Sequence, residues 1–250
     1  MGLLDNIRMQ KRNKSKRQMF DPAGLLTDAS PWGVQEAYKT LRTNVIFSIP
    51  KDEDGGKVIG VTSAMPGEGK SINAINHAIS FAQLEKKVLL IDGDLRRPTV
   101  AAKLQIPGVP GLSNKLIGQA KLGDCMRRVP KYGIDVLPSG SIPPDPTWLL
   151  QSAQMSTLIS QLKKMYDYII LDLPPVNTVA DASIASRYVD GYLIVVCHNS
   201  TDMGMVGEAL EQLRKADGHI FGFIYNDVSD DERGYYRRSY RYKYQEGYYQ

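Results

Sequence analysis

Cysteine is almost missing from this chain. Cys125 and Cys197 are the only two thiols among 250 residues, and they show no metal-ligand spacing. Two thiols in a chain this long fit a reducing compartment and leave no disulfide framework to organise the fold. Also missing is any apolar run near the ~18–20 residues that span a bilayer. The N-terminus begins with a brief apolar patch, Gly2 to Leu4, and then turns basic, the reverse of a secretory leader. These features predict a cytoplasmic chain. An excess of one sign of charge is nearly missing too. The formal net charge is +4, yet residues 1–19 alone carry +5 (Arg8, Lys11, Arg12, Lys14, Lys16 and Arg17 against Asp5), which leaves −1 for the rest. A nearly neutral body gives no support to specific nucleic-acid binding. The arm reads as a solvated leader or as a contact for acidic lipid, nucleic acid or an acidic partner.

What is present is an alternation of β-rich apolar runs with helical stretches. Residues 57–63, 87–92, 134–137, 168–173, 191–197 and 220–225 read as strands, and most are continuously apolar, as in strands buried on both faces. Helical spacing recurs over 71–84, 146–165 and 202–216, with an extra helix over 33–47 ahead of the first strand. This order predicts an α/β fold with a doubly wound, mostly parallel sheet flanked by helices. The domain reading is a basic flexible arm at 1–30, one catalytic domain at 31–229 and a disordered tyrosine-rich tail at 230–250.

In open α/β sheets ligands bind at the carboxyl ends of the strands. The first strand runs into Ala64-Met65-Pro66-Gly67-Glu68-Gly69-Lys70-Ser71, which then opens a helix. That is the context of a P-loop: glycines let successive amides face one anion, and the helix N-terminus adds unsatisfied donors. Pro66, Gly67, Glu68, Gly69, Lys70, Ser71 and Ile72 are the predicted nucleotide-holding stretch. Lys70 reaches the β- and γ-phosphates, and the Ser71 hydroxyl is a magnesium ligand.

The second strand ends Ile91-Asp92-Gly93-Asp94-Leu95-Arg96-Arg97-Pro98. Two carboxylates at the ligand end repel one another unless a cation or a phosphate cradle lies between them. The adjacent arginines either neutralise them or meet phosphate. A later strand ends Ile169-Ile170-Leu171-Asp172-Leu173-Pro174-Pro175, the pattern of a Walker B carboxylate that holds magnesium. Asp181 is expected near the same strand end. Asn226, closing the last strand, either faces the nucleotide base or forms a turn. His77, His198 and His219 share no spacing that suggests metal or base chemistry, and Trp32 and Trp148 read as packing or interface residues.

Seven of the 14 tyrosines (Tyr235, Tyr236, Tyr240, Tyr242, Tyr244, Tyr248 and Tyr249) fall in the last 16 residues, interleaved with Arg233, Arg237, Arg238, Arg241 and Lys243. No helical or strand stripe runs through them. A nucleic-acid arm, an aromatic interaction tail and a multi-site phosphoacceptor are all compatible with that composition.

PGEGKS at 66–71, LLIDGDLRRP at 89–98, PSGSIPPDP at 138–146, IILDLPP at 169–175 and the terminal tyrosine cluster together resemble the bacterial tyrosine kinases (BY-kinases) of capsule and exopolysaccharide biosynthesis, from about Glu36 to the C-terminus. The resemblance implies a tyrosine autokinase using ATP and Mg2+. Lys70 and Ser71 take its Walker A roles and Asp172 its Walker B role. Asp92 and Asp94 take a second, family-particular motif, with Asp94 as the base. The tail tyrosines become the phosphoacceptors, reached in trans within a homo-oligomeric ring. Glu36, Lys39 and Arg42 match a charged helix motif used in ring assembly, with Lys39 in place of an arginine. A membrane adaptor or activator that recruits the chain to the inner face of the cell membrane, and a cognate tyrosine phosphatase, are the implied partners. Partitioning ATPases of the deviant-Walker type are an alternative class. They carry a second lysine five residues before the P-loop lysine, where this chain has Met65. A non-catalytic scaffold whose assembly follows nucleotide is the other alternative.

Overall fold

A computed structural model describes residues 24–50, 55–198 and 200–228. Two sequence readings, the basic arm before residue 24 and the tyrosine tail from 229 onward, lie outside the described residues. In chain order the elements are α1 (Trp32–Ser48), β1 (Lys57–Ser63), α2 (Lys70–Ala82), β2 (Val88–Asp92), α3 (Val100–Leu104), α4 (Leu112–Leu116), α5 (Leu122–Cys125), β3 (Arg127–Val129) and β4 (Ile134–Leu137). Then come α6 (Pro146–Gln151), α7 (Ala153–Leu162), β5 (Tyr168–Asp172), α8 (Asp181–Ala185), β6 (Gly191–Cys197), α9 (Met203–Lys215) and β7 (Ile220–Asn226).

The strands form one sheet of order β3-β4-β2-β5-β1-β6-β7. Every pairing is parallel except β3 with β4. The apolar strands explain the layering. Alternate side chains of one run serve opposite faces. Leu89, Ile91, Ile169, Leu171 and Ile194 pack under α6, α7, α8 and α9, while Ile59, Val61, Leu90, Ile170 and Val195 pack under α1, α2 and α3. The doubly wound α/β architecture is as the sequence predicts.

Three details differ from the sequence reading. The predicted 146–165 helix is two helices, because Ser152 is extended (φ −66°, ψ 150°) and its hydroxyl accepts from Met155 N, capping α7. β3 is an antiparallel edge strand of three residues, too short to leave an apolar run. The boundary at residue 30 is also too late. Leu25 and Leu26 are buried in the α1-side core, and Asn76 on α2 grips Gly24 O at 3.0 Å and Leu26 N at 2.8 Å. Residues 24–30 therefore belong to the folded body.

Candidate active site

The loop between β1 and α2 turns on two left-handed glycines, Gly67 (φ +86°) and Gly69 (φ +89°). A side chain at Gly69 has no room: its Cβ would lie 2.2 Å from Asn226 Nδ2. Asn226 itself donates to Glu68 O at 3.1 Å, so the end of β7 buttresses the loop. Of the two sequence readings for this asparagine, the structure places its amide against the phosphate loop. Glu68 turns its carboxylate inward and is buried. It accepts from Met65 N at 3.0 Å and from the Thr201 hydroxyl, stapling the loop to the segment after β6. Its place in the nucleotide-holding stretch is thus through its backbone. Pro66 and Gly67 sit exposed on the rim, while Ile72 packs into the α1-side core beside Gly24.

Three adjacent strands, β2, β5 and β1, aim at this loop. Asp92 and Asp172 are register partners across β2 and β5, both fully buried. Lys70 Nζ lies 2.9 Å from Asp94 Oδ2, 3.8 Å from Asp172 Oδ1 and 3.4 Å from Ser71 Oγ. Asp94 Oδ1 accepts from Arg97 N at 2.9 Å and Arg96 N at 3.3 Å. Asp92 Oδ2 accepts from Val100 N at 3.1 Å. The sequence-predicted residues Lys70, Ser71, Asp92, Asp94 and Asp172 therefore converge.

Burial pushes Asp92 up to about 8, and the Asp172 charge beside it adds to the rise. Burial also raises Asp172, to about 6, against the pull of Lys70. For Lys70 burial alone would favour the neutral amine. The carboxylates of Asp172 and Asp94 outweigh it and hold the ammonium above its ordinary value. Asp92 Oδ1 and both Asp172 carboxylate oxygens are buried without a hydrogen-bond partner. Buried carboxylate oxygens without a hydrogen bond are costly, and a hard cation satisfies them. Among the described residues no group of three or more His, Cys, Asp or Glu is arranged to hold a metal alone. Magnesium keeps several waters and binds through one or two carboxylates together with substrate phosphates. Ser71, Asp92 and Asp172 are the residues that fit it.

The Arg96 side chain makes its hydrogen bonds away from Asp92 and Asp94. Arg96 instead grips the buried Asp181 with two bonds, Nε at 2.8 Å and Nη2 at 3.1 Å, and its Nη2 reaches Thr147 Oγ1 at 2.8 Å. Thr147 Oγ1 also donates to Asp181 at 3.0 Å. This clamp joins the loop carrying Asp94 to the starts of α6 and α8. Asp181 does lie at the ligand end, as expected, with Arg96 as its partner.

On α1, Glu36 and Lys39 pair at 2.8 Å on the outer surface. Arg42 is buried and donates to Ser80 O on α2, so it does not share their outward face. Three-residue steps drift around a helix of 3.6 residues per turn, and by the third position the side chain faces inward. Met65 is exposed at the position of the deviant-Walker lysine and has no amine to reach across a dimer.

A left-handed glycine loop on a helix N-terminus, a lysine facing it and two register-paired acidic strand ends define a P-loop nucleotide-binding protein. A family model described as an AAA domain matches residues 56–217. The tyrosine-protein kinase CpsD of Streptococcus agalactiae is 37% identical over 204 residues, covering 80% of this chain and 85% of that protein. The tyrosine-protein kinase YwqD of Bacillus subtilis is 38% identical over 204 residues with the same two coverages. The kinase domain of the Escherichia coli tyrosine kinase ETK superposes with a TM-score of 0.74 at 32% identity, covering 78% of this chain and 75% of that one. The chain belongs to the bacterial tyrosine kinase family. Among the described residues no helix is long and apolar enough to cross a membrane.

Proposed function

We propose that this protein is an ATP- and Mg2+-dependent tyrosine autokinase that phosphorylates its C-terminal tyrosine cluster, in trans within a homo-oligomer, and so regulates capsule or exopolysaccharide synthesis and export. A membrane adaptor would recruit it to the inner face of the cell membrane, and a cognate phosphatase would reverse the modification. The domain organisation proposed with it is a basic arm, a catalytic body and a phosphoacceptor tail at 230–250. The single observation that carries the catalytic reading is the set of three buried oxygens on Asp92 and Asp172 that lack a hydrogen-bond partner, with the Lys70 ammonium 3.8 Å from one of them.

Phosphoryl transfer needs positioning and charge stabilisation more than covalent chemistry from the protein. The loop amides and Lys70 would hold the phosphates, and Ser71, Asp92 and Asp172 would hold the magnesium, which when bound offsets charge on the transferring group. A tyrosine phenol has a pKa near ~10 and needs help to lose its proton. Asp94 has Oδ1 fixed by two backbone amides, while among the described residues its Oδ2 bonds to Lys70 alone. As Lys70 turns to phosphate oxygens, Oδ2 opens to the incoming phenol. The phenol then gives its proton to Asp94 as its oxygen bonds to the γ-phosphorus and ADP leaves.

Incubating the purified chain with Mg-ATP, with and without membrane fractions, followed by mass mapping of the tail, tests the proposal. Phosphate on the tail tyrosines is expected, and Lys70→Met should abolish it. Asp94→Ala should lower labelling by about 100-fold or more, the usual size of a lost general base, with much less effect on nucleotide affinity. Equal loss of both would move Asp94 from base to phosphate or metal binding. Nucleotide binding without any label on the tail would favour the scaffold reading.

A further inference from the structure

A polar relay runs from α1 into the phosphate loop, and nothing in the catalytic reading uses it. The Tyr38 hydroxyl on α1 donates to Asn73 Oδ1 at 2.8 Å and accepts from Asn76 Nδ2 at 3.1 Å. Asn73 Nδ2 in turn donates to the carbonyl of Gly69 at 3.0 Å. The same carbonyl accepts from the backbone N–H of Asn73 at 3.1 Å. Asn73 and Asn76 are both buried. Burial raises the Tyr38 phenol above its ordinary value, so the hydroxyl remains a donor across neutral pH.

The carbonyl of Gly69 and the N–H of Lys70 belong to one planar trans peptide and point in opposite directions. Pinning that carbonyl on the helix side aims the Lys70 N–H out of the N-terminus of α2, where an anion binds. Gly69 has a left-handed φ of +89° and no side chain to restrict it. A peptide next to such a residue has unusual freedom to turn over unless something holds it. Asn73 does the holding, and Tyr38 fixes which end of the Asn73 amide faces Gly69.

We infer that Tyr38 and Asn73 are positioning residues for the nucleotide: together they orient the Gly69–Lys70 peptide so that its N–H faces the phosphates. This makes α1, outside the P-loop motif and ahead of it in the chain, part of the nucleotide site. The inference rests on the proposed phosphate-binding role of the loop.

The test is titration of the full chain with a fluorescent ADP analogue and magnesium. Tyr38→Phe keeps the ring and removes only the hydroxyl. It removes the bond to Asn73 and one of the two made by Asn76 Nδ2, which keeps Gly24 O, and is expected to weaken binding about three- to tenfold, the usual range for losing a hydrogen bond and stranding its acceptor. Asn73→Ala should weaken binding at least as much. The double variant should be no weaker than Asn73→Ala alone, because both changes break one relay. With saturating ATP the labelling rate of Tyr38→Phe should stay near the parent's while KM for ATP rises. Thr43→Ala, whose hydroxyl bonds to Lys39 O of its own helix, should leave affinity unchanged. Affinity of Tyr38→Phe within twofold of the parent would overturn the inference, with or without a lower melting temperature. Losses that multiply in the double variant would overturn it too. If Asn73→Ala does not fold, Tyr38→Phe alone decides. Lys70→Met separates the two levels of argument: equal binding by that variant and the parent defeats the nucleotide reading itself, whereas a Lys70-dependent affinity that ignores Tyr38 defeats only the relay.

Discussion

Asp92 holds its proton to about pH 8 in the folded chain, because burial and the neighbouring Asp172 disfavour its charge. An unfolded aspartate loses its proton near pH ~4. Between those values the native state binds more protons than the unfolded state, so this site makes stability fall as pH rises. We expect the melting temperature of the chain, freed of nucleotide and metal, to decline from pH 5 to pH 8. In a chain of this size each kcal/mol lost lowers it by about 2–4 °C. Asp92→Asn should flatten the decline, and Mg-ATP should reverse it, both read by calorimetry across pH. These carboxylates were legible in the sequence because each closes an apolar strand. Their company was less so. That Arg96 would grip Asp181, and Arg42 face inward to Ser80 O, depends on how distant elements dock. Neither spacing nor composition encodes that, and the partners of Arg96 lie 51 and 85 residues away. Tyr38 and Asn73 escaped the reading for the same reason, being 35 residues apart on two helices.

At the scale of an element, the turns and caps carry the predictions. Asp202 starts α9 by accepting from Gly204 N at 2.6 Å and Met205 N at 3.4 Å. Asp202→Ala should cost about 1 kcal/mol, as lost N-caps do, measurable by urea unfolding. Gly69→Ala is a harsher change, since it combines a left-handed φ with a Cβ 2.2 Å from the Asn226 amide. Nucleotide affinity should collapse there, and titration calorimetry would read it. The long apolar strands and the longer helices could be read from the sequence to within a residue or two, because burial on both faces and helical spacing leave continuous signals. The short helices α3, α4, α5 and α8 and the three-residue edge strand β3 leave none. The break at Ser152 was hidden as well. The apolar spacing passes through it, and only the backbone reveals the turn.

For the molecule as a whole, residues 230–250 hold five basic and four acidic groups. Each phosphotyrosine adds about −1.5 to −2 charges, so three or four turn a weakly cationic tail strongly anionic. Crowded tails of that kind repel and compete for basic surfaces. Fully labelled protein should therefore show a lower assembly mass by light scattering than unlabelled protein, with the difference shrinking at high salt.

The way β7 ends bears on the tail phosphorylation proposed above. Its last residue, Asn226, touches Glu68 O, so β7 ends beside the phosphate loop. From β7 to β2, which carries Asp92, is four strand spacings in the sheet order, roughly 19 Å. Seven residues, the distance from 228 to Tyr235, can extend to about 24 Å. Even within one subunit that span could be covered from Tyr235 onward, so the transfer in trans proposed above is not forced by a short reach. Reach cannot rank the seven tyrosines, and the order of labelling along the cluster should follow the side chains flanking each tyrosine instead.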